Sequence, residues 1–210
     1  MDAGHWDERY AAKELVWSAE PNVFVAEATA DLPAGRALDL AAGEGRNALW
    51  LAERGWRVTA VDFSQVALDR ASALARERAI RPPGSFATLR ADLLDYVPPA
   101  QAYDLVLVVY LQLPAAERRV VLRRAADAVA PGGMLFVVGH DSANLEHGYG
   151  GPPNPAVLYT ASDLAADIDG AGLTIARAEP VRRRVSTAEG DREAIDALLV
   201  ARRAPAVTAP

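Results

Sequence analysis

From Ala37 to His140 the chain alternates short aliphatic runs with longer amphipathic stretches, and no other feature constrains its fold as tightly. "ALDLA", "RVTAVD", "FATLRAD", "YDLVLVVYL" and "MLFVVGH" read as strands. Between them, "RNALWLAERG", "QVALDRASALARERA" and "PAAERRVVLRRAADAVA" read as helices with an apolar face. Gly55 stops the first helix, Ser64 caps the second, Pro114 opens the third and "PGG" closes it. The fourth strand is apolar throughout, the pattern of a buried parallel strand. Strand and helix in strict alternation predict an α/β, doubly wound, mostly parallel sheet with helices on both faces.

The last third breaks the alternation. "TASDLAADIDGAG" reads as a helix with a capping-box signal at Thr160 and Asp163. "LTIARAEPVRRRV" and "AIDALLVARRA" follow as strands with no helix between them, which predicts a C-terminal antiparallel hairpin and a total of seven strands. The Arg182-Arg183-Arg184 run within it reads as an alternating, solvated edge strand. Ahead of the first strand, residues 1–35 read as an aromatic-bearing arm and a helix near Asn22–Ala30. We expect one domain over residues 1–204 and a disordered tail at 205–210.

Ligands of a doubly wound sheet bind outside the carboxyl ends of its strands, where the strand order reverses. There the first strand runs into Gly43-Glu44-Gly45-Arg46-Asn47-Ala48, a match to G-x-G-x-x-G/A. Glycines at such a turn let the backbone approach a ligand without a Cβ in the way. Asp62, which ends the second strand, can accept hydrogen bonds from both hydroxyls of a ribose, so the pair of signals predicts a nucleoside-containing ligand. A helix N-terminus ordinarily favours pyrophosphate. Asp39 and Glu44 place negative charge beside this one, which repels a pyrophosphate and suits an ammonium or sulfonium.

Composition narrows the partners. The net charge of -6 argues against a nucleic acid, whose phosphates need a cationic surface. The absence of cysteine excludes disulfides, thiolate metal sites and cysteine nucleophiles, and the three histidines have no metal-ligand spacing, so no metal is expected. No apolar run approaches the roughly 18 to 20 residues that span a bilayer. A polar, acidic N-terminus without an apolar core lacks the pattern of a signal peptide, so we expect a cytoplasmic protein, monomer or homodimer.

These motifs resemble the class I S-adenosylmethionine-dependent methyltransferases along nearly the whole chain. "LDLAAGEGRNA" is similar to the family's first motif, D-x-G-x-G-x-G, with Ala41 where that motif has its first glycine. "VTAVDFS" is similar to the second, "ADLLDY" to the element after the third strand, and "LRRAADAVAPGGMLFVV" to the helix, turn and fifth strand. The resemblance implies a Rossmann-like fold and S-adenosylmethionine as cofactor, leaving S-adenosylhomocysteine. It implies cofactor contacts at Asp39, Ala41, Gly43, Gly45, Arg46, Asn47, Asp62, Phe63 and Ser64. It adds Asp92 at the adenine amino group, Leu93 along the ring, and Tyr110 at the exit of the fourth strand. The arm "HWDERYAAKELVWSAEPNVFV" is similar to the thiopurine and tellurite-resistance branch, in which N-terminal aromatics cover the cofactor. Trp17 takes the cofactor position there, with Trp6 and Tyr10 toward the substrate.

Methyl transfer is an in-line displacement in which the protein aligns reactants and excludes solvent. A base is needed only when the acceptor must lose a proton. His140 and Tyr110, at strand carboxyl ends, are the candidates, with Asp141 placed to orient His140. The Gly- and Pro-rich segment 142–159 reads as a substrate lid, with Tyr149 and Tyr159 as its contacts to a small-molecule acceptor. Two other readings compete: an NAD-dependent oxidoreductase on the same turn, and a non-catalytic S-adenosylmethionine-binding sensor.

Overall fold

The computed structural model describes residues 20–80 and 85–206. They divide into two compact units, with boundaries after Val97, Gln101 and Val108. The first unit holds α1 (Val23–Thr29), β1 (Arg36–Leu40), α2 (Arg46–Glu53), β2 (Arg57–Asp62), α3 (Gln65–Glu77), β3 (Phe86–Arg90) and nearly all of β4 (Tyr103–Val109). The second holds α4 (Ala115–Ala128), β5 (Val129–His140), α5 (Asn144–His147), a 3₁₀ turn (Pro155–Val157), α6 (Ala161–Asp167), β6 (Leu173–Thr187) and β7 (Gly190–Arg203). The strands form one seven-stranded sheet in the order β3-β2-β1-β4-β5-β7-β6.

In the first unit β1 is the central strand, paired in parallel with β2 on one side and β4 on the other. Leu38 stands opposite both Thr59 and Val106, and Leu40 opposite Val61 and Val108. Strands flanked in this way are apolar on both faces, and Ala37, Leu38 and Leu40 are all buried. α2 packs Ala48, Leu49, Leu51 and Ala52 inward. Ser64 caps α3 as its spacing predicts, its hydroxyl accepting from the Ala67 amide at 3.2 Å.

In the second unit β7 pairs antiparallel with β5 and with β6, so the predicted hairpin is present. One expectation changes. "PGG" does not form a turn separate from the strand: α4 ends at Ala128 and the chain is extended from Val129 onward, with Gly132 at a φ of +79°. The Val129 side chain favours extended backbone, and ladder pairing with β7 begins only at Met134. On β6, Arg182 and Arg184 face solvent and pair with Glu193 and Asp191, while Arg183 points to the opposite face. Among the described residues no helix is long and apolar enough to cross a membrane.

α6 begins with the predicted capping box: the Thr160 hydroxyl accepts from the Asp163 amide, and the Asp163 carboxylate accepts from the Thr160 amide. It is anchored at its other end by charge. Asp167, 1% exposed, accepts from Arg118 Nε at 2.6 Å and Arg119 Nε at 3.1 Å, and Arg118 is itself buried. Removing one partner of such a pair strands the other charge away from water. Asp167→Ala is therefore expected to lower unfolding free energy by about 3–5 kcal/mol, measured by urea denaturation.

Candidate functional site

The turn after β1 is held from β2. Asp62, buried at the end of β2, accepts from the Gly43 amide at 2.8 Å through Oδ2 and from the Ser64 amide at 2.9 Å through Oδ1. Both carboxylate oxygens are thereby fixed beside the glycine turn. Gly45, the N-cap of α2, has a φ of +77°. A Cβ there would meet the Cβ of Ala71 at 3.0 Å, so glycine lets α3 close against the turn. Ala41 also adopts a left-handed φ, +59°, which explains why glycine is the expected residue at this position.

Asp39 is the anomaly of this unit. It is 1% exposed, and neither side-chain oxygen has a hydrogen-bond partner. Burial pushes its pKa from 3.8 up to about 7; Asp62 adds to the rise, while Arg46 and the Ala48 amide, which lacks full hydrogen-bond geometry, oppose it. Glu44, grouped with Asp39 on sequence, is differently placed. It is buried and paired with Arg70 at 2.9 Å, so its charge is largely offset and the anionic character of the turn rests on Asp39.

Other expected cofactor residues take up distinct positions. Asn47 is buried, and its Oδ1 accepts from the Asn22 amide at 2.8 Å; Asn22 in turn caps α1 through the amides of Phe24 and Val25. Asn47 thus ties the start of α1 to α2. Arg46 and Phe63 are half-buried, Leu93 is buried, and Asp92 is exposed with Oδ1 accepting from the Leu94 amide at 2.9 Å. Trp6, Tyr10 and Trp17 lie outside the described residues.

The second unit gathers a separate polar cluster. Asp196 of β7, 0% exposed, accepts through Oδ2 from the Tyr110 hydroxyl at 2.7 Å and from Arg183 Nε at 2.9 Å. Arg183 Nε also donates to the Tyr110 hydroxyl at 2.9 Å. His140, which ends β5, places Nδ1 3.2 Å from Asp196 Oδ1, within ion-pair range but without the alignment of a hydrogen bond. Its ring lies against Tyr110, centroids 4.8 Å apart. Burial disfavours the charge on Asp196, but His140, Arg183 and Tyr110 together outweigh it and hold the carboxyl below the usual range. Burial, then the charge of Asp196, raises the Tyr110 phenol well above its ordinary value, so Tyr110 is a hydrogen-bond donor rather than a base.

The segment after β5 is tethered. Asp141 and Tyr159 form a bridge at its ends, and Asn144 spans it, Oδ1 accepting from the Ile195 amide at 2.7 Å and Nδ2 donating to the Gly150 carbonyl at 2.8 Å. Of its two tyrosines, Tyr149 is 45% exposed, whereas Tyr159 is 1% exposed, its hydroxyl donating to the Leu111 carbonyl at 3.2 Å. That burial makes Tyr159 an anchor of the segment rather than a contact to an acceptor. Asp141 turns its Oδ1 to the Ala143 amide, at 2.9 Å, and Asp196 occupies the place beside His140 that sequence adjacency suggested for Asp141. Asp196, Arg183 and Asn144 were not legible as site residues. Gln112, whose side-chain amide is buried with neither polar atom paired, was not either. Asp196, Arg183 and Asn144 are brought in by pairing between segments far apart in the chain, a relation that local pattern does not carry.

With this geometry in place, the chain can be set beside the known proteins it is similar to. Residues 37–133 match the methyltransferase domain family. The glycine N-methyltransferase of Rattus norvegicus is 30% identical over an alignment covering 67% of this chain and 52% of that protein. The chain therefore spans about half the length of the curated relatives it matches. A solved structure described as "Conversion of a Disulfide Bond into a Thioacetal Group during Echinomycin Biosynthesis" superposes with a TM-score of 0.76 at 22% identity, covering 96% of this chain and 93% of that one. The N-methyltransferase NodS from Bradyrhizobium japonicum WM9, solved with S-adenosyl-L-homocysteine, gives 0.70 at 18% identity over 97% of this chain and 99% of its own. TehB from Haemophilus influenzae gives 0.71 at 16%, over 94% and 67%. At these identities the structures establish a shared fold, the Rossmann-like, mostly parallel sheet with an antiparallel C-terminal pair.

The buried Asp39 has a consequence for stability. The folded chain holds its proton more tightly than the unfolded chain does, so stability is present below pH 3.8 and is lost as pH rises through about 7. Asp39→Asn removes that loss. Thermal unfolding of the ligand-free protein is expected to show the variant more stable than the parent at pH 8, with the difference shrinking as pH falls toward 4.

Proposed function

We propose that this chain is an S-adenosylmethionine-dependent methyltransferase acting on a small-molecule acceptor. The observation that carries the reading is Asp39: a fully buried carboxylate with two unpartnered oxygens needs a cation or a donor, and the ligand of this turn must supply it. A sulfonium amino acid does so; a dinucleotide pyrophosphate would add like charge. Asp62 fits the same ligand, its oxygens fixed by the Gly43 and Ser64 amides for a ribose diol. Gly43 and Gly45 give the methionine portion a close approach, Phe63 and Leu93 line the base, and Asp92 keeps an exposed carboxylate oxygen for the adenine amino group. Ser64 and Asn47 act by position, the one capping α3 and the other tying α1 to α2. When bound, S-adenosylmethionine supplies an electrophilic methyl group on sulfur.

On the acceptor side we assign His140, with Tyr110 as its supporting donor and Tyr149 as an exposed contact on the segment after β5. Glycine N-methyltransferase and NodS are both named for transfer to nitrogen, which makes amines the first acceptors to try. The thiopurine and tellurite-resistance likeness rests on Trp6, Tyr10 and Trp17, whose rings would cover the sulfonium.

Calorimetry on the full chain tests the cofactor. S-adenosylhomocysteine is expected to bind and NADH not; binding of NADH with neither S-adenosyl ligand would end the methyltransferase reading. Asp62→Ala should weaken S-adenosylhomocysteine binding by at least about tenfold, since two hydrogen bonds to a charged group are lost. A panel of amines, phenols, thiols and chalcogen anions, scored by S-adenosylhomocysteine release, then separates an enzyme from a binding protein without turnover.

A further inference from the structure

We infer that Asp196, held by Arg183 and Tyr110, turns His140 into a fixed proton acceptor. The methyl acceptor is accordingly a nucleophile that must lose a proton, an O–H or N–H group. The inference rests on the methyltransferase reading for its reaction, but its geometry stands within the second unit alone.

Asp196 Oδ2 already accepts from two donors, the Tyr110 hydroxyl and Arg183 Nε. Oδ1 accepts from neither and lies 3.2 Å from His140 Nδ1. A carboxylate cannot donate, so this contact is attractive only with a proton on Nδ1; otherwise two lone pairs face each other. In the neutral ring that leaves the lone pair on Nε2. Nε2 has no hydrogen bond among the described residues, and the side chain keeps 15% exposure.

The surroundings hold the ring. A Cβ on Gly151 would lie 2.9 Å from Cγ, 3.0 Å from Cδ2 and 3.1 Å from Nδ1, so the glycine lets this turn seat closely against the ring. Asn144 pins the turn, bonding the Gly150 carbonyl with one atom and the Ile195 amide, next to Asp196, with the other. Tyr110 adopts a φ of +56°, unusual for a bulky residue, while placing its ring on His140 and its hydroxyl on Asp196. Such strain costs on the order of 1–3 kcal/mol and persists where the surroundings over-determine it.

The chemistry follows. With S-adenosylmethionine bound, the acceptor's lone pair would form its bond to the methyl carbon while the carbon–sulfur bond breaks, its electron pair leaving on the sulfur of S-adenosylhomocysteine; the acceptor's X–H bond breaks and that pair stays on X. The proton passes to Nε2, the imidazolium is stabilised by the buried Asp196 charge, and the proton then leaves to water. An acceptor already anionic at neutral pH, such as sulfide, needs none of this. Arg183 and Tyr110 are positioning residues: they hold Asp196 charged and oriented.

The chain has three histidines, His5, His140 and His147, so 15N-histidine labelling reads the tautomer directly. Signals lost in His140→Gln identify His140. At pH 8 the parent is expected to carry the neutral His140 proton on Nδ1. Asp196→Asn, similar in shape but uncharged and able to donate, is expected to populate the Nε2–H form. Nε2–H in the parent, or a pattern unchanged by Asp196→Asn, overturns the inference; if that variant does not fold, the parent spectrum still decides. In turnover, catechol and glycine serve as O–H and N–H probes, and sulfide, present as the hydrosulfide anion, as one that need lose no proton. His140→Gln should cut transfer to catechol or glycine by about 100-fold or more, while sulfide transfer and S-adenosylhomocysteine affinity stay within about twofold. Equal loss on every probe, or turnover of sulfide alone, overturns it. A parent protein that binds no S-adenosylhomocysteine refutes the methyltransferase reading instead, and the tautomer then stands as the separate test of His140.

Discussion

A carboxylate removed from water must find a donor or a cation, and much of this molecule is arranged around that requirement. Asp62 meets it with the amides of Gly43 and Ser64, and in doing so ties the turn after β1 to the end of β2. Asp167 meets it with Arg118 and Arg119, which fasten α6 to α4. Asp196 meets it with Tyr110 and Arg183. Asp39 has no hydrogen-bond partner on either oxygen, and Arg46 and the Ala48 amide offset its burial only in part. Asp62 and Asp167 are paired through both oxygens, Asp196 through Oδ2 alone, and Asp39 through neither.

This contrast also explains how two different electrostatic environments arise from one residue type. Asp39 has burial without partners, so its proton is retained up to about pH 7. Asp196 is as deeply buried, yet hydrogen bonds and a guanidinium keep it ionised. The first is suited to receive a cation, the second to support one that forms during a proton transfer. Each unit thus carries its own buried carboxylate, one raised in pKa by burial and one held below the usual range by its partners.

The fold was legible because period and punctuation agree along most of the chain. Aliphatic runs separated by capped amphipathic stretches leave a parallel sheet as the economical burial, and Ser64, Thr160 and Asp163 cap the helices they were read to cap. The boundary after α4 was less legible, because Val129 and Ala130 suit a helix end and a strand start equally well in sequence. Within the candidate site, the turn from Gly43 to Ala48 and the acidic end of β2 were visible because the backbone geometry they need is local. Glu44 was not separable from Asp39 by sequence, since only packing brings Arg70 of α3 beside it. Arg183 was hidden in a run of three arginines, and strand alternation turned it alone toward Asp196.

The sequence by itself determined the α/β architecture, the glycine turn and Asp62, since hydrophobic period and turn chemistry act over a few residues. Only tertiary structure decided which charges are paired. Tyr110 and Asp196 are 86 residues apart, and Glu44 and Arg70 are 26. Burial and opposite charge make those pairs, and neither is a property of any short stretch of chain.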